Sequence, residues 1–184
     1  RLYITEEVKN GRIIEFDLKA NSQRTLANMR YPEGIARYAD GTLLIAEDIV
    51  GGNIITLATD GTQKILVKNL NRPEGLCLND AGALFIAETG TGRVLKYSQK
   101  TLSVVVEGIT EPDQLVCAKD GSLWISEDAN PGRVFRYSQK KLYIVAENLK
   151  SPQGMVIDKD NVVYIAEQSG DRILKLSLKK PMQK

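Results

Sequence analysis

The chain has 184 residues, 42% of them hydrophobic and 26% charged, with a formal net charge of +2. That supplies enough apolar material for a packed core and too little net charge to draw the protein toward nucleic acid or an anionic membrane. It contains no histidine, which excludes a Ser-His-Asp triad, a Cys-His dyad, histidine metal ligands and imidazole acid–base chemistry from these residues.

Taken in chain order, the first element is RLYITEE at 1–7, an alternating, β-rich stretch that ends on acids. A Gly-Arg step follows and opens GRIIEF at 11–16, which mixes apolar and charged positions as a half-exposed strand does. The next landmark is a proline motif, YPEGI at 31–35, leading into an apolar stretch and an Asp40-Gly41 turn signal. TLLIAED then repeats the character of the opening strand, and GNIITL repeats that of GRIIEF. From here the order recurs. The proline motif returns as RPEGL, EPDQL and SPQGM, the acid-ended strand as ALFIAET, SLWISED and VVYIAEQ, and the third strand as GRVLKY, GRVFRY and DRILKL.

Pro32, Pro73, Pro112 and Pro152 are spaced 41, 39 and 40 residues apart, and Glu6, Glu47, Glu88, Glu127 and Glu167 are spaced 41, 41, 39 and 40. A period that holds in independent markers defines a repeat architecture. Each unit reads as four short strands: an inner strand A after the proline, apolar on both faces; a strand B ending on the acid; a strand C from the Gly-Arg step; and an outer strand D such as QKILVK or LYIVAE with polar/apolar mixing. No segment carries a sustained helical period. The expected fold is all-β, a β-propeller of four-stranded antiparallel blades at about 40 residues each.

The motif P-E-G-[IL]-x(5)-G-x-L-x-I-A-E, followed by G-R-[IV]-x-[KR]-[YF], resembles the NHL repeat and the related blades of regucalcin/gluconolactonase and strictosidine synthase-like propellers. The resemblance covers essentially the whole chain and implies one propeller domain over 1–184, with units at about 1–30, 31–71, 72–110, 111–150 and 151–184. The strands run B-C-D, three complete A-B-C-D units, then A-B-C, so the chain touches five blades. Such propellers are typically six-bladed. The expectation is therefore either a piece of a longer protein or two chains that complete each other's blades, since exposed edge strands invite pairing. The relatives also imply an extracytoplasmic location.

Several recurring residues read as scaffold. Gly34, Gly75 and Gly154 follow the motif proline and allow close backbone approach near the channel. The acid of strand B and the Arg of strand C are five or six residues apart in Glu6–Arg12, Glu88–Arg93, Glu127–Arg133 and Glu167–Arg172, so each pair is expected to bridge its own hairpin; Asn53 stands in for Arg opposite Glu47. Trp124 is expected in the core. Cys77 and Cys117 lie in apolar runs and are expected as buried free thiols. Lys96, Arg136 and Lys175 with Tyr97 and Tyr137 recur on strand C as a solvated face rather than a nucleic-acid surface. Gly90-Thr91-Gly92 precedes no helix and is not a phosphate loop.

The position after the proline differs in kind. Glu33, Glu74, Asp113 and Gln153 begin the inner strands of separate blades, so their side chains are expected to converge at one mouth of the central channel. Carboxylates gathered there repel one another unless a cation or basic ligand neutralises them, and hard oxygen donors suit Ca²⁺ or Mg²⁺. In the gluconolactonase relatives, acidic and amide residues of the equivalent P-x-G segment bind the catalytic divalent metal, so the resemblance implies the same for Glu33, Glu74 and Asp113. The mixed Glu/Asn/Asn/Asp set of those enzymes is not reproduced here. Two readings follow. One is a non-enzymatic NHL-type scaffold that presents its loop face and channel mouth to a protein or small-molecule ligand. The other is a divalent-metal-dependent lactonase with Glu33, Glu74 or Asp113 as the catalytic candidates.

Overall fold

The computed structural model describes residues 1–177. Eighteen strands form five separate antiparallel sheets arranged as propeller blades. Blade 1 holds β1 (Leu2–Thr5), β2 (Gly11–Asp17) and β3 (Ser22–Met29). Blade 2 holds β4 (Pro32–Arg37), β5 (Leu43–Glu47), β6 (Val50–Leu57) and β7 (Gln63–Asn71). Blade 3 holds β8 (Pro73–Leu78), β9 (Leu84–Glu88), β10 (Arg93–Ser98) and β11 (Thr101–Glu107), and blade 4 holds β12 (Pro112–Cys117), β13 (Leu123–Glu127), β14 (Gly132–Ser138) and β15 (Lys141–Leu149). Blade 5 holds β16 (Pro152–Ile157), β17 (Val162–Glu167) and β18 (Arg172–Ser177). Short 3-10 turns at Thr89–Thr91 and Gln168–Gly170 are the only helical pieces among the described residues. None of the described helices is long and apolar enough to cross a membrane.

The four hydrophobic clusters lie between blades, which explains why the inner strands are apolar on both faces. In β5, Leu44 joins a cluster with Leu76, Leu84 and Ile86 of blade 3, while Leu43 and Ile45 join one with Ile13 and Met29 of blade 1. Trp124 is 1% exposed in the cluster between blades 4 and 5, and its indole N–H donates to Ser122 Oγ at 3.2 Å. The last blade shows the same rule from its open side. Ile13, Ile54, Val94 and Val134 are fully buried at one position of strand C, whereas Ile173 at that position is 72% exposed, because its face of blade 5 has no further blade against it among the described residues.

Inner strands of successive blades touch, β4 with β8, β8 with β12, and β12 with β16. At Gly34 a Cβ would stand 1.9 Å from the Glu74 carbonyl oxygen, and at Gly75 one would stand 2.1 Å from that of Asp113. The motif glycine is therefore the residue against which the next blade's acid-bearing backbone is seated. The inner strands begin at the motif proline itself, earlier than the apolar run suggests.

The cysteines correct the sequence-based expectation. Cys77 on β8 and Cys117 on β12 are not free thiols but form a disulfide across the blade 3–blade 4 boundary, with Cα atoms 5.7 Å apart. They are 40 residues apart, one repeat period, and that separation brings adjacent inner strands together.

Candidate functional site

The site is built by a backbone device repeated in each blade. The residue before the motif proline is left-handed every time: Tyr31 (φ 42), Arg72 (φ 51), Glu111 (φ 47) and Ser151 (φ 49). Proline disfavours the right-handed helical region in its predecessor, and the left-handed alternative costs of order 1–3 kcal/mol for a non-glycine residue. Hydrogen bonds hold the strained residue in place. Its carbonyl accepts from the residue just past the strand-B acid of its own blade, namely Asp48, Thr89, Asp128 and Gln168 in turn, at 2.9–3.0 Å. Its N–H reaches back to the previous blade, Tyr31 to Val8, Arg72 to Ile49 and Ser151 to Ala129, each at 3.0 Å. The chain thus makes a fixed corner, and the residue after the proline projects at the channel mouth.

The three predicted carboxylates meet there. Glu33, Glu74 and Asp113 each bring a carboxylate oxygen within 4.8 Å of the other two. Glu33 also belongs to a second such group, with Glu7 and Asp48. Gln153 donates its side-chain N–H to Asp128 Oδ2 at 2.8 Å, and the Asp128 charge in turn acts on Asp113. Asp48 and Asp128, which carry no metal-binding spacing in the sequence, thus lie beside the site through the fold.

The electrostatics follow from burial and crowding. Glu74 is 5% exposed and Asp113 7%. Burial, followed by repulsion from Glu74 and Asp113, pushes the Glu33 carboxyl up to about 9. Glu74 is raised to about 8, mainly by burial, with the neighbouring Thr89 hydroxyl and the Arg72 charge opposing the rise. Asp113 is raised to about 7 by burial and by the charges of Asp128, Glu7 and Asp48, with no hydrogen bond to offset them. Among the described residues the one cation bonded into the cluster is Arg72, whose guanidinium donates to Glu74 Oε1 at 2.8 Å and to Asp48 Oδ1 at 3.1 Å. Glu33, Glu74 and Asp113 therefore form a dense set of hard oxygen donors, with one arginine bonded between its member Glu74 and the neighbouring Asp48, a set that fits a divalent cation. Thr5 and Ser126 steady the framework by donating to the Glu33 and Gln153 carbonyl oxygens at 2.6 and 2.8 Å.

The strand-B acids have a different role. Arg12 bonds Glu6 at 2.5 and 2.7 Å, Arg93 bonds Glu88 at 2.6 and 3.0 Å, Arg133 bonds Glu127 at 2.6 and 2.7 Å, and Arg172 bonds Glu167. In blade 2, Asn53 donates to Glu47 at 2.6 Å. The hairpin pairing expected from spacing is present. The same acids also do something the spacing does not reveal. Glu88, Glu127 and Glu167 accept the backbone N–H of Asn71, Thr110 and Lys150 at 3.0, 3.1 and 2.8 Å, tying each inter-blade crossing to the next blade. The basic residues of strand C lie over strand-B aromatics, Lys96 over Phe85 and Lys175 over Tyr164, each at 5.9 Å.

Comparison with known proteins agrees with this architecture. The NHL repeat family model matches residues 70–97. No curated protein matches the sequence. Among solved structures, a gluconolactonase from Xanthomonas campestris is similar at 18% identity and a TM-score of 0.77, over 98% of this chain and 71% of that one. A virginiamycin B lyase from Staphylococcus aureus is similar at 15% identity and 0.73, over 97% and 67%. A catalytically inactive form of that lyase, in which a histidine is replaced by alanine, matches at 15% and 0.70 over 92% and 64%. The chain thus spans about two thirds of the length of these structures. Residues 70–97 match the NHL repeat, and the fold of the chain is a β-propeller like that of these solved structures.

Proposed function

We propose that this protein is a binding propeller whose channel mouth takes a divalent cation, Ca²⁺ or Mg²⁺, on Glu33, Glu74 and Asp113. The observation that carries this reading is the convergence of three carboxylates from three blades within 4.8 Å, in a place where burial and repulsion disfavour their charged forms. A cation of +2 removes that repulsion, whereas a purely structural cluster would be expected to hold its hydrogen bonds, as the strand-B acids do. Calorimetric titration with Ca²⁺ and with Mg²⁺, on the wild type and on Glu74→Gln, tests it. Saturable binding to the wild type that is lost in the variant is the expected result, and identical heats in both proteins would overturn it.

A second reading is a metal-dependent lactonase, favoured by the likeness to a gluconolactonase over nearly the whole chain. A bound divalent cation supplies a Lewis acid that polarises a lactone carbonyl. On this reading Glu33, Glu74 and Asp113 would hold the cation, and a neighbouring carboxylate outside that set, such as Asp48, would accept the proton of an attacking water. Ca²⁺-dependent acid release from gluconolactone that disappears in Asp113→Asn would support it. The lyase likeness carries less, since histidine replacement inactivates that protein and the 184 residues here contain no histidine. The Cys77–Cys117 bridge favours an oxidising compartment.

A further inference from the structure

The disulfide joins the same two strands that carry two of the three site acids. Glu74 stands three residues before Cys77 on β8, and Asp113 four residues before Cys117 on β12. These strands belong to different sheets, so no β-ladder fixes their separation. The packing of Val94 against Leu115 and Ile125 and the Thr89 hydroxyl, which donates to the Pro112 carbonyl at 2.5 Å, hold the two blades together, and two further contacts join the inner strands themselves. At the channel mouth, Gly75 lies against the Asp113 carbonyl, where a Cβ would come within 2.1 Å. Farther along the strands, the bridge holds the Cys77 and Cys117 Cα atoms 5.7 Å apart. Between β4 and β8 the first contact recurs, with Gly34 against the Glu74 carbonyl, but no covalent link accompanies it. The bridge thus stands under the one pair of site acids whose blades it can lock, and those acids repel each other once both are deprotonated and no cation is bound.

We propose that the Cys77–Cys117 disulfide is a positioning device for the channel-mouth cation site, holding Glu74 and Asp113 at binding separation before a cation arrives. The inference rests on the cation reading given above. In the bridged protein the acids are pre-organised, so none of the binding free energy is spent drawing β8 and β12 together. In the unbridged protein their repulsion is relieved by separation of the strands, and a cation must reverse that separation. Cation affinity therefore depends on the redox state of the bridge, by a factor on the order of tenfold. Linkage requires the converse: a bound cation shifts the equilibrium for reduction of the bridge by the same factor toward the disulfide.

Calorimetric Ca²⁺ titration tests this on three forms: oxidised wild type, reduced wild type, and Cys77→Ala/Cys117→Ala. Dithiothreitol supplies two electrons and two protons, leaving Cys77 and Cys117 as thiols and becoming a cyclic disulfide itself, and it is removed anaerobically before titration. Circular dichroism checks that each form keeps its β-sheet signal. The expected result is an affinity about tenfold weaker in both unbridged forms, with the stoichiometry kept. A bridge with a structural role alone would lower the thermal midpoint and leave the affinity unchanged, which would overturn the inference while the cation reading stands. Absence of binding in every form would overturn the cation reading and this inference with it. Should the unbridged forms unfold, the dithiothreitol equilibrium of the wild-type bridge with and without Ca²⁺ decides: protection by Ca²⁺ supports the inference, and equal equilibria overturn it.

Discussion

Glu88 and Glu74 stand in the same blade, on paired strands, and both are almost fully buried, at 3% and 5% exposure. Glu88 accepts hydrogen bonds from Arg93, Thr91 and the Asn71 backbone; burial pushes its carboxyl up, but these bonds outweigh it and the group ends below its ordinary value. Glu74 has the Arg72 bond and the Thr89 hydroxyl, shares its surroundings with Asp113 and Asp48, and ends at about 8. The repeat therefore uses buried carboxylates in two ways. Where the acid closes a hairpin and ties down the crossing that enters its blade, every oxygen has a partner. Where the inner strands converge, negative charge is left in excess of its partners, and excess of that kind is what a ligand can satisfy.

Removing an acid from each set is the sharpest way to break the comparison. Glu127→Ala strips two Arg133 bonds and the Thr110 N–H of their acceptor, in a residue 1% exposed. Denaturant unfolding should show a loss of about 2–3 kcal/mol, below the full cost of a stranded buried charge because Arg133 keeps access to water. Asp113→Asn should do the opposite in chelator: stability at pH 8 unchanged or raised, and Ca²⁺ binding lost. A stability loss as large as that of Glu127→Ala would place Asp113 with the scaffold acids.

The pH dependence separates the sets next. Glu33, Glu74 and Asp113 have folded values near 9, 8 and 7, above those of an unfolded chain near 4. Between those limits the folded state holds protons that the unfolded state has released, so stability falls as pH rises. Their contribution is complete below about pH 4 and lost progressively up to about pH 9. Glu6, Glu88 and Glu167 are lowered and act in the other direction, their contribution being lost as pH falls below the ordinary carboxylate range. Thermal midpoints in chelator should therefore decline from about pH 5 toward pH 9, and saturating Ca²⁺ should flatten that decline. A midpoint that climbs through this interval without cation would contradict the account of the cluster.

Smaller effects sharpen the picture. Arg72→Gln removes the guanidinium that neutralises Glu74 and Asp48, so Ca²⁺ affinity should rise by a few-fold rather than fall. A fall would mean that Arg72 orients Glu74 more than it competes for it. Arg12→Ala, at the solvent-exposed Glu6 pair, should shift the melting midpoint least of all these changes.

Much of the architecture is legible in the sequence because a repeat states each rule several times. The four prolines, five strand-B acids and recurring Gly-Arg steps suffice to place eighteen strands in five blades, and the spacing of Glu88 from Arg93 suffices to pair them. The convergence of Glu33, Glu74 and Asp113 is legible too, since equivalent positions of inner strands must meet near one axis. What escapes is whatever depends on contacts between repeats. Arg72 reads as an ordinary residue before proline until its left-handed backbone turns it toward Asp48, 24 positions earlier. Glu7 and Asp48 read as loop acids until the blades bring them to Glu33. Gln153 reads as a ligand position until the fold pairs its amide with Asp128, 25 positions earlier. The disulfide had a usable signal: Cys77 and Cys117 lie one period apart, and one period in a propeller means neighbouring strands.

The most direct test of the cation site is a crystal of the protein grown with Mn²⁺ or Ca²⁺ and measured for anomalous scattering. One strong peak is expected among Glu33, Glu74 and Asp113, with carboxylate oxygens of all three at about 2.1–2.6 Å from the ion. An empty cluster at millimolar cation, or a peak bound only by surface carboxylates elsewhere, would contradict the cation site.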